Sequence, residues 1–383
     1  MGLEENRKKI DEIDSQLVSL LEERLAVSLA IGRYKKELGL AILDPKREAE
    51  VVRKNLERLG DQRYRPYVRR LMELLMSVSR EAQRDIMVDG ETRLEDVIGD
   101  LPVSSPVANP TVAYGGIQGS FGEEACLTYF GKDVRQQSYP TFREVIEALE
   151  EGKADYGVLP MENTSTGGIL EVERLLEADG LFIVGEVVVP VVHCLLGLST
   201  LEEVTTVYSH VQGFEQSRSF LEGKGYREVP YFNTAISARY VAEAGDPSLG
   251  AIASRRAGEV YGLKVLAEGI NDSKENFTRF VVVKKSIELA GVRDKVSIQV
   301  ILEDREGSLY KVVNSINRHQ LSMGKIASRP ILGKPFEYIF SIDFRGSLDN
   351  LEVKKALMEI RENALEMKFK GNYKAEKESA YGK

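Results

Sequence analysis

Residues 271–280 read NDSKENFTRF, a polar loop that ends in a hydroxyl and a guanidinium side by side, Thr278 and Arg279, just where the chain turns apolar. The planar donor fork of Arg279 suits a carboxylate. An isolated threonine titrates far outside the useful range, and taken alone the pair also reads as a strand-edge Thr beside a surface Arg. A second set lies near the start of the chain. Arg24 and Lys35 are eleven residues apart, about three helical turns, so they share a face. Ser79 and Gln83 are i,i+4 neighbours, and Arg47 stands just inside a capped helix start. One cluster of Arg24, Lys35, Arg47, Ser79 and Gln83 suits a small polyanion; the alternative is a solvated charged face. A third set comprises Glu162, Asn163 and Thr164 at one strand end, with Ser209 and Gln212 as counterparts further on. Strand ends are where α/β folds carry ligand groups, although Asn163 and Ser209 equally read as helix starts. Gly119-Ser120 opens a helix and offers backbone N–H groups to a carboxylate.

The elements that must position these groups follow from periodicity. Residues 1–88 read as all-helical. Apolar residues fall at helical spacing over 3–38 (Ile10, Ile13, Leu17, Leu20, Leu21, Leu25, Ile31), and Gly39 is a stop. Asp44-Pro45 caps and starts a second helix, and a third runs over 67–87. Residues 89–110 hold three prolines and read as a linker. Over 111–285, β-rich runs alternate with helical stretches in two sets, which predicts two α/β lobes with mostly parallel sheets about a cleft. Residues 182–198 lie between the sets and are expected to carry the chain across a hinge. Residues 295–375 follow a β-α-β-β-α-β order, which predicts a ferredoxin-like α+β fold.

Composition narrows the partners. The 383 residues carry a net charge of −8 and no long Lys/Arg run, which argues against nucleic acid or an anionic membrane. No apolar run reaches the roughly 18 residues of a membrane span, and MGLEENRKKI is no signal peptide. Two cysteines, Cys126 and Cys194, build neither a disulfide framework nor a metal motif, so a reducing cytoplasm is expected. His193, His210 and His319 are too few for a His-rich metal centre, and His193 reads as a core histidine.

RKKIDEID (7–14), EERLAVSLAIGRYK (22–35), DPKRE (44–48) and MSVSREAQ (76–83) resemble the all-helical chorismate mutase family. That resemblance implies that Arg7, Arg24 and Arg47 hold substrate carboxylates, together with Ser79. It further implies that Lys35 and Gln83 donate to the ether oxygen of chorismate, and that Asp44 and Glu48 contact its hydroxyl. VAYGGIQGSFGEEA (112–125), LPMENTSTGG (159–168), VYSHVQGFEQS (207–217), AIASRRAGEVYGLKVL (251–266) and the Thr278-Arg279-Phe280 motif resemble the prephenate dehydratases. The implied fold is two-lobed, like a periplasmic binding protein. Thr278 is the implied donor to the departing hydroxyl and Arg279 the anchor beside it. Ser120, Glu162, Asn163, Thr164, Ser209, Gln212 and Phe280 complete the implied substrate site, with no metal and no cofactor.

GSLYKVVNSINRHQLSMGKIASRP (307–330) resembles an ACT domain, an amino-acid sensor. It implies L-phenylalanine binding at Gly307, Ser308, Leu309 and Tyr310, and at Ser328, Arg329 and Pro330. Ser308 stands where Ala is commoner, and Ala327 where Glu is usual. The expected partners are chorismate, prephenate and phenylalanine, in a homodimer or homotetramer. Two other readings stay open: a non-catalytic two-lobed sensor, or a dehydratase whose helical domain only dimerises. One geometric point concerns assembly. Arg7 and Arg24 are 17 residues apart on one helix, about 26 Å, which exceeds the span of chorismate.

Overall fold

The computed structural model describes residues 2–89, 91–331, 333–334 and 337–376. The chain opens with helices α1 (Leu3–Leu38), α2 (Pro45–Glu57), α3 (Arg65–Met87) and a short α4 (Leu94–Ile98), then strand β1 (Val103–Ser104). Next come β2 (Thr111–Gly115), α5 (Phe121–Phe130), β3 (Arg135–Tyr139), α6 (Phe142–Glu150), β4 (Tyr156–Asn163), β5 (Gly167–Gly168), α7 (Leu170–Leu175) and β6 (Phe182–Pro190). A second series holds β7 (Cys194–Gly197), β8 (Thr206–Ser209), α8 (Val211–Glu215), α9 (Arg218–Leu221), β9 (Arg227–Pro230), α10 (Thr234–Ala244), β10 (Leu249–Ala253), α11 (Arg255–Tyr261) and β11 (Lys264–Glu268). After β12 (Phe277–Lys284) and β13 (Ile287–Glu288) follow β14 (Lys295–Ile301), α12 (Ser308–Arg318), β15 (Met323–Pro330), β16 (Tyr338–Arg345), α13 (Leu351–Asn363) and β17 (Glu366–Tyr373). Among the described residues no helix is long and apolar enough to cross a membrane.

These elements form two compact units. The first takes the chain up to Asp100, with Ile301–Leu321 and Leu348–Met367. The second takes Leu101–Val300, Ser322–Ser347 and the chain from Lys368 on.

In the first unit the helix boundaries follow local chemistry. Gly39 ends α1 in the left-handed conformation, and Asp44 accepts from Arg47 N to cap α2, with proline in the first turn. α1 and α3 approach closely at Gly32, where a Cβ would lie 2.9 Å from Gln83 Cγ. Only a glycine brings the two helices so near. The remaining apolar positions of α1 behave otherwise: Ile10, Ile13, Leu17, Leu20 and Ile31 are exposed, a stripe that the unit's own helices leave uncovered. The apolar core is correspondingly small, centred on Val52, Leu56 and Met76. Ion pairs fasten α3 to α12 and α13. Arg84, 1 % exposed, faces Glu359 at 3.1 Å and Glu362 at 2.7 Å, while Arg318 reaches Glu81 at 3.2 Å and Glu359 at 3.1 Å.

The second unit contains two sheets of one plan. The first runs β3-β2-β4-β12-β6 and the second β9-β8-β10-β7-β11. In each, the strand arriving from the other lobe (β12, β7) lies beside the third strand, and the strand leaving (β6, β11) lies outermost. The segment 182–198 therefore crosses between lobes as expected, and the chain returns through 269–276. The expectation of mostly parallel sheets needs correction. Along these five-strand orders each sheet has two parallel and two antiparallel pairings, because both crossing strands run against the βα repeats, and β5 adds one more antiparallel pairing on β4 in the first sheet. β12 is buried on both faces. Phe280 and Val282 pack with Cys126 of α5, and Val281 and Val283 with Leu149 of α6. Strands β14–β17 form a separate sheet in the order β15-β16-β14-β17. The stretch 89–110, read as a linker, contains α4, with Val97 and Ile98 buried, and β1, which pairs with β13.

Candidate active sites

A cavity of about 620 Å³ in the first unit gathers Arg24, Lys35, Asp44, Arg47, Glu48, Ser79 and Gln83. All three helices contribute, so the spacing argument for a shared face holds in space. Arg24 donates to Ser79 Oγ and to Leu75 O (3.0 Å), and Lys35 Nζ to Ile42 O (2.5 Å). Neither cation has a carboxylate partner among the described residues, whereas Arg47 is held by Glu50 at 2.7 Å. Gln83 Nε2 donates to Ser28 Oγ at 2.9 Å, and its Oε1 is buried with no partner among the described residues. Two residues escaped the sequence reading. Arg80 pairs with Glu48 at the cavity wall, and Ser28 orients Gln83. Arg80 was findable, since it lies three residues before Gln83 on the same helical face. Arg7 is the member that the structure does not bring in. Its side chain is exposed and bonded to Glu4 at 2.8 Å, because the length of α1 carries it away.

In the second unit Thr278 and Arg279 are both buried, yet strand alternation sends them to opposite faces of β12. Thr278 pairs in register with Asn163, whose Nδ2 donates to Thr278 Oγ1 at 2.9 Å and to Asn276 Oδ1 at 2.8 Å. The Thr278 oxygen is thereby an acceptor, and its own O–H has no acceptor among the described residues. The network continues. Asn276 Nδ2 donates to Gln216 Oε1 at 3.0 Å, and His193 Nε2 lies 2.9 Å from the same oxygen. Since that oxygen accepts, Nε2 carries the imidazole proton, leaving Nδ1 buried and without a partner among the described residues. Burial pushes the His193 imidazole below its ordinary value, against the Gln216 hydrogen bond, so the ring is neutral at pH 7. His193 is thus buried, as expected for a core residue, but it ends a polar chain that reaches Thr278. Gln216 and Asn276 were missed; both lie inside the quoted motifs, but nothing local in sequence links them.

Arg279 does not sit beside Thr278 as an anchor. Its guanidinium meets Glu162 at 2.9 Å, Glu186 at 3.0 Å and Asp343 at 3.5 Å, and Lys295 adds a second cation 2.8 Å from Glu186. Glu162, paired in register with Arg279, shares that face and also meets Lys325 at 3.0 Å. Both are members of one ion network, in which Arg279 and Glu186 are buried and Glu162 is half-buried. Three further candidates have partners within the protein. Phe280 is 3 % exposed and packs in the apolar core. Ser209 is fully buried and donates to Ile252 O at 3.0 Å. Thr164 Oγ1 bridges to Glu275 O and Phe277 N, both at 2.9 Å, bracing the loop before β12. Ser120 caps α5 by accepting from Glu123 N, and Gln212 is exposed in the first turn of α8. Gly119, at φ +83°, would place a Cβ 2.7 Å from Ala257 Cα, so the loop before α5 needs glycine to meet α11.

Arg279→Ala leaves Glu186 and Asp343 buried with Lys295 alone. The expected loss of unfolding free energy is on the order of 3–5 kcal/mol, read by urea denaturation. Unchanged stability with lost turnover contradicts the network reading. The same network sets a pH limit. Burial raises the Glu162 carboxyl, but Arg279 and Lys325 override it and hold it at about 2, below its ordinary 4.5. A depressed folded value contributes stability above the ordinary range, and that contribution fades as pH falls from about 4.5 towards 2. Glu162→Gln should flatten the acid limb of a stability–pH curve.

The chain matches known proteins along both units. The family model for chorismate mutase type II matches residues 6–84, and that for prephenate dehydratase matches residues 112–288. A helical mutase domain is therefore joined to a two-lobed dehydratase domain. A bifunctional chorismate mutase/prephenate dehydratase of Aquifex aeolicus is 35% identical over 376 residues, 97% of each chain, and that of Escherichia coli K12 is 32% identical over 380 residues, 97% of this chain and 95% of the relative. Prephenate dehydratase from Arthrobacter aurescens, solved in complex with L-Phe, superposes with a TM-score of 0.64 at 27% identity, covering 69% of this chain and 90% of that one. The chain belongs to the bifunctional chorismate mutase/prephenate dehydratase family.

Proposed function

We infer that the chain performs two consecutive steps of phenylalanine biosynthesis, rearranging chorismate to prephenate in the first unit and converting prephenate to phenylpyruvate in the second. The observation that supports the first step best is the pair of uncommitted cations, Arg24 and Lys35, in one cavity. Chorismate is a dicarboxylate that rearranges without covalent help, so the residues have only to hold the diaxial conformer and meet charge at the ether oxygen. Arg24 and Arg47 hold carboxylates, Ser79 assists, and Lys35 and Gln83 donate to the oxygen. Asp44 and Glu48 take the substrate hydroxyl. In the second step the ring carboxylate leaves as carbon dioxide, and its bonding pair enters the ring as the C–OH bond breaks. Asn163 holds the Thr278 oxygen, so the free O–H points its proton to the departing hydroxide. Aromatisation drives the step. Incubating the purified chain with chorismate, then with prephenate, and following phenylpyruvate tests the pair; a chain that turns over neither substrate is the sensor of the alternative reading.

The domains we propose are a mutase domain over 1–88, a linker over 89–110, a dehydratase domain over 111–285 and a ferredoxin-like ACT module over 295–375. The element order and sheet order of β14–β17 support the last. Phenylalanine is its proposed effector, at Gly307–Tyr310 and Ser328–Pro330, supported by the phenylalanine complex of the Arthrobacter relative. Gly307 caps α12, with Leu309 and Tyr310 exposed, while Arg329 is buried against Glu173 and Glu177. A dehydratase rate that falls as L-phenylalanine is titrated is the expected result, and indifference to millimolar phenylalanine contradicts it. The buried thiols of Cys126 and Cys194 fit a reducing cytoplasm.

The assembly proposed is a homodimer with shared mutase sites. The exposed stripe of α1 needs a cover, and Arg7 lies outside its own cavity. Antiparallel α1 helices would bury the stripe and deliver Arg7 to the partner's site. Mixing inactive Arg7→Ala and Arg24→Ala proteins under subunit exchange then restores activity, to at most about a quarter of wild type for random pairing in a two-fold dimer. No recovery after exchange is confirmed by mass, or full activity of Arg7→Ala alone, rules out the shared site.

A further inference from the structure

A second cavity of the first unit, about 750 Å³, shares Glu48, Met76 and Arg80 with the mutase cavity, and neither reaction uses it. Its walls come from α2, α3, α12 and the end of α13. The first turns of α2 and α12, helices of 13 and 11 residues, both line it, so two positive helix ends converge on one space. Side chains add to that field. Arg65, Arg69 and Lys311 line the cavity with no carboxylate partner among the described residues, against a single such acid, Glu73. Leu56 and Leu74 supply apolar wall. A space of this size with an apolar wall and surplus guanidinium and ammonium groups fits a small anion with a ring-sized body. Gly307 and Tyr310, placed above in the phenylalanine site, also line this cavity, and its three uncommitted cations favour there an anion that lacks the amino acid's ammonium.

The cavity also has a route to the chemistry. Arg80, on α3, pairs with Glu48, on α2, and both side chains face both cavities. An anion in the second cavity competes for Arg80, and Glu48 then stands as an uncompensated carboxylate beside a dianionic substrate. We propose that the second cavity is a regulatory site for an aryl keto acid, and that its occupation weakens chorismate binding through the Arg80–Glu48 pair. The coupling rests on the mutase reading above; the site does not. Phenylpyruvate, the product of the second reaction, has the required chemistry and serves as the probe.

The test uses the full chain and an Arg69→Ala/Lys311→Ala double variant. Both side chains are on exposed residues and neither lines the mutase cavity, so the basal rate should be unchanged. Phenylpyruvate should raise the KM for chorismate roughly five-fold or more in the wild type, and the double variant should lose the shift. Calorimetry on the same two proteins counts phenylpyruvate sites without reference to activity, and one more is expected in the wild type. An equal KM shift in both proteins is competition at the mutase site and overturns the proposal, as does no shift in either or an equal site count. If L-phenylalanine causes the shift that the double variant loses, the keto-acid assignment is wrong. A chain that never turns over chorismate but shows the extra site loses the mutase reading and keeps the site.

Discussion

Thr278→Val should lower dehydratase kcat on the order of 10²–10³ with little change in KM, because valine keeps the shape and removes the one donor aimed at the leaving hydroxide. The structure sharpens this expectation. Asn163 donates to Thr278 Oγ1, and the hydroxyl proton meets no acceptor among the described residues. Asn163→Ala should then cost activity as well, by releasing the Thr278 rotor and the neighbouring Asn276. Thr278→Ser keeps the donor and should recover most of the rate. Mutase turnover should be unaffected in all three, since its cavity is built from the three N-terminal helices. Near-normal dehydratase turnover in the valine variant removes Thr278 from the mechanism.

Lys35→Ala should cost a similar factor, on the order of 10²–10³, in kcat for chorismate. Charge at the ether oxygen develops in the transition state, so its partner is felt in kcat more than in KM. Among the described residues Lys35 has no carboxylate to neutralise it, and its ammonium is anchored by a backbone carbonyl, Ile42 O. Removing it leaves no buried acid behind, and stability should change little. Prephenate dehydration should be untouched. Loss of both activities, or unfolding, marks Lys35 as structural.

The helical unit was legible because its signals are local. Asp44-Pro45, Gly39 and the spacing of Arg24, Lys35, Ser79 and Gln83 all act within a few turns, and both ends of α1 and α3 and the start of α2 fall within two residues of those expected. What local pattern did not show was which apolar stripe would stay uncovered, since Ile10 and Leu17 look like core until the unit leaves them bare. In the α/β region the alternation was readable but the strand directions were not. β12 and β7 enter from the other lobe, and pairing between strands far apart in sequence has no local signature. The Thr278-Arg279 pair shows the limit most clearly. Period-two alternation already separates adjacent side chains, but the carboxylates that claim Arg279 come from β4, β6 and β16. The chain of Asn163, Asn276, Gln216 and His193 is assembled from equally distant segments.

The central claim is that one chain carries two separate sites acting in sequence. It is tested most directly by feeding chorismate to the wild type, Thr278→Val and Lys35→Ala and separating the products by chromatography. The wild type should yield phenylpyruvate. Thr278→Val should stall with prephenate accumulated, and Lys35→Ala should leave chorismate largely unconsumed while still converting added prephenate. A single substitution that abolishes both conversions in a folded protein, or a Thr278→Val protein that still delivers phenylpyruvate at the wild-type rate, contradicts the account.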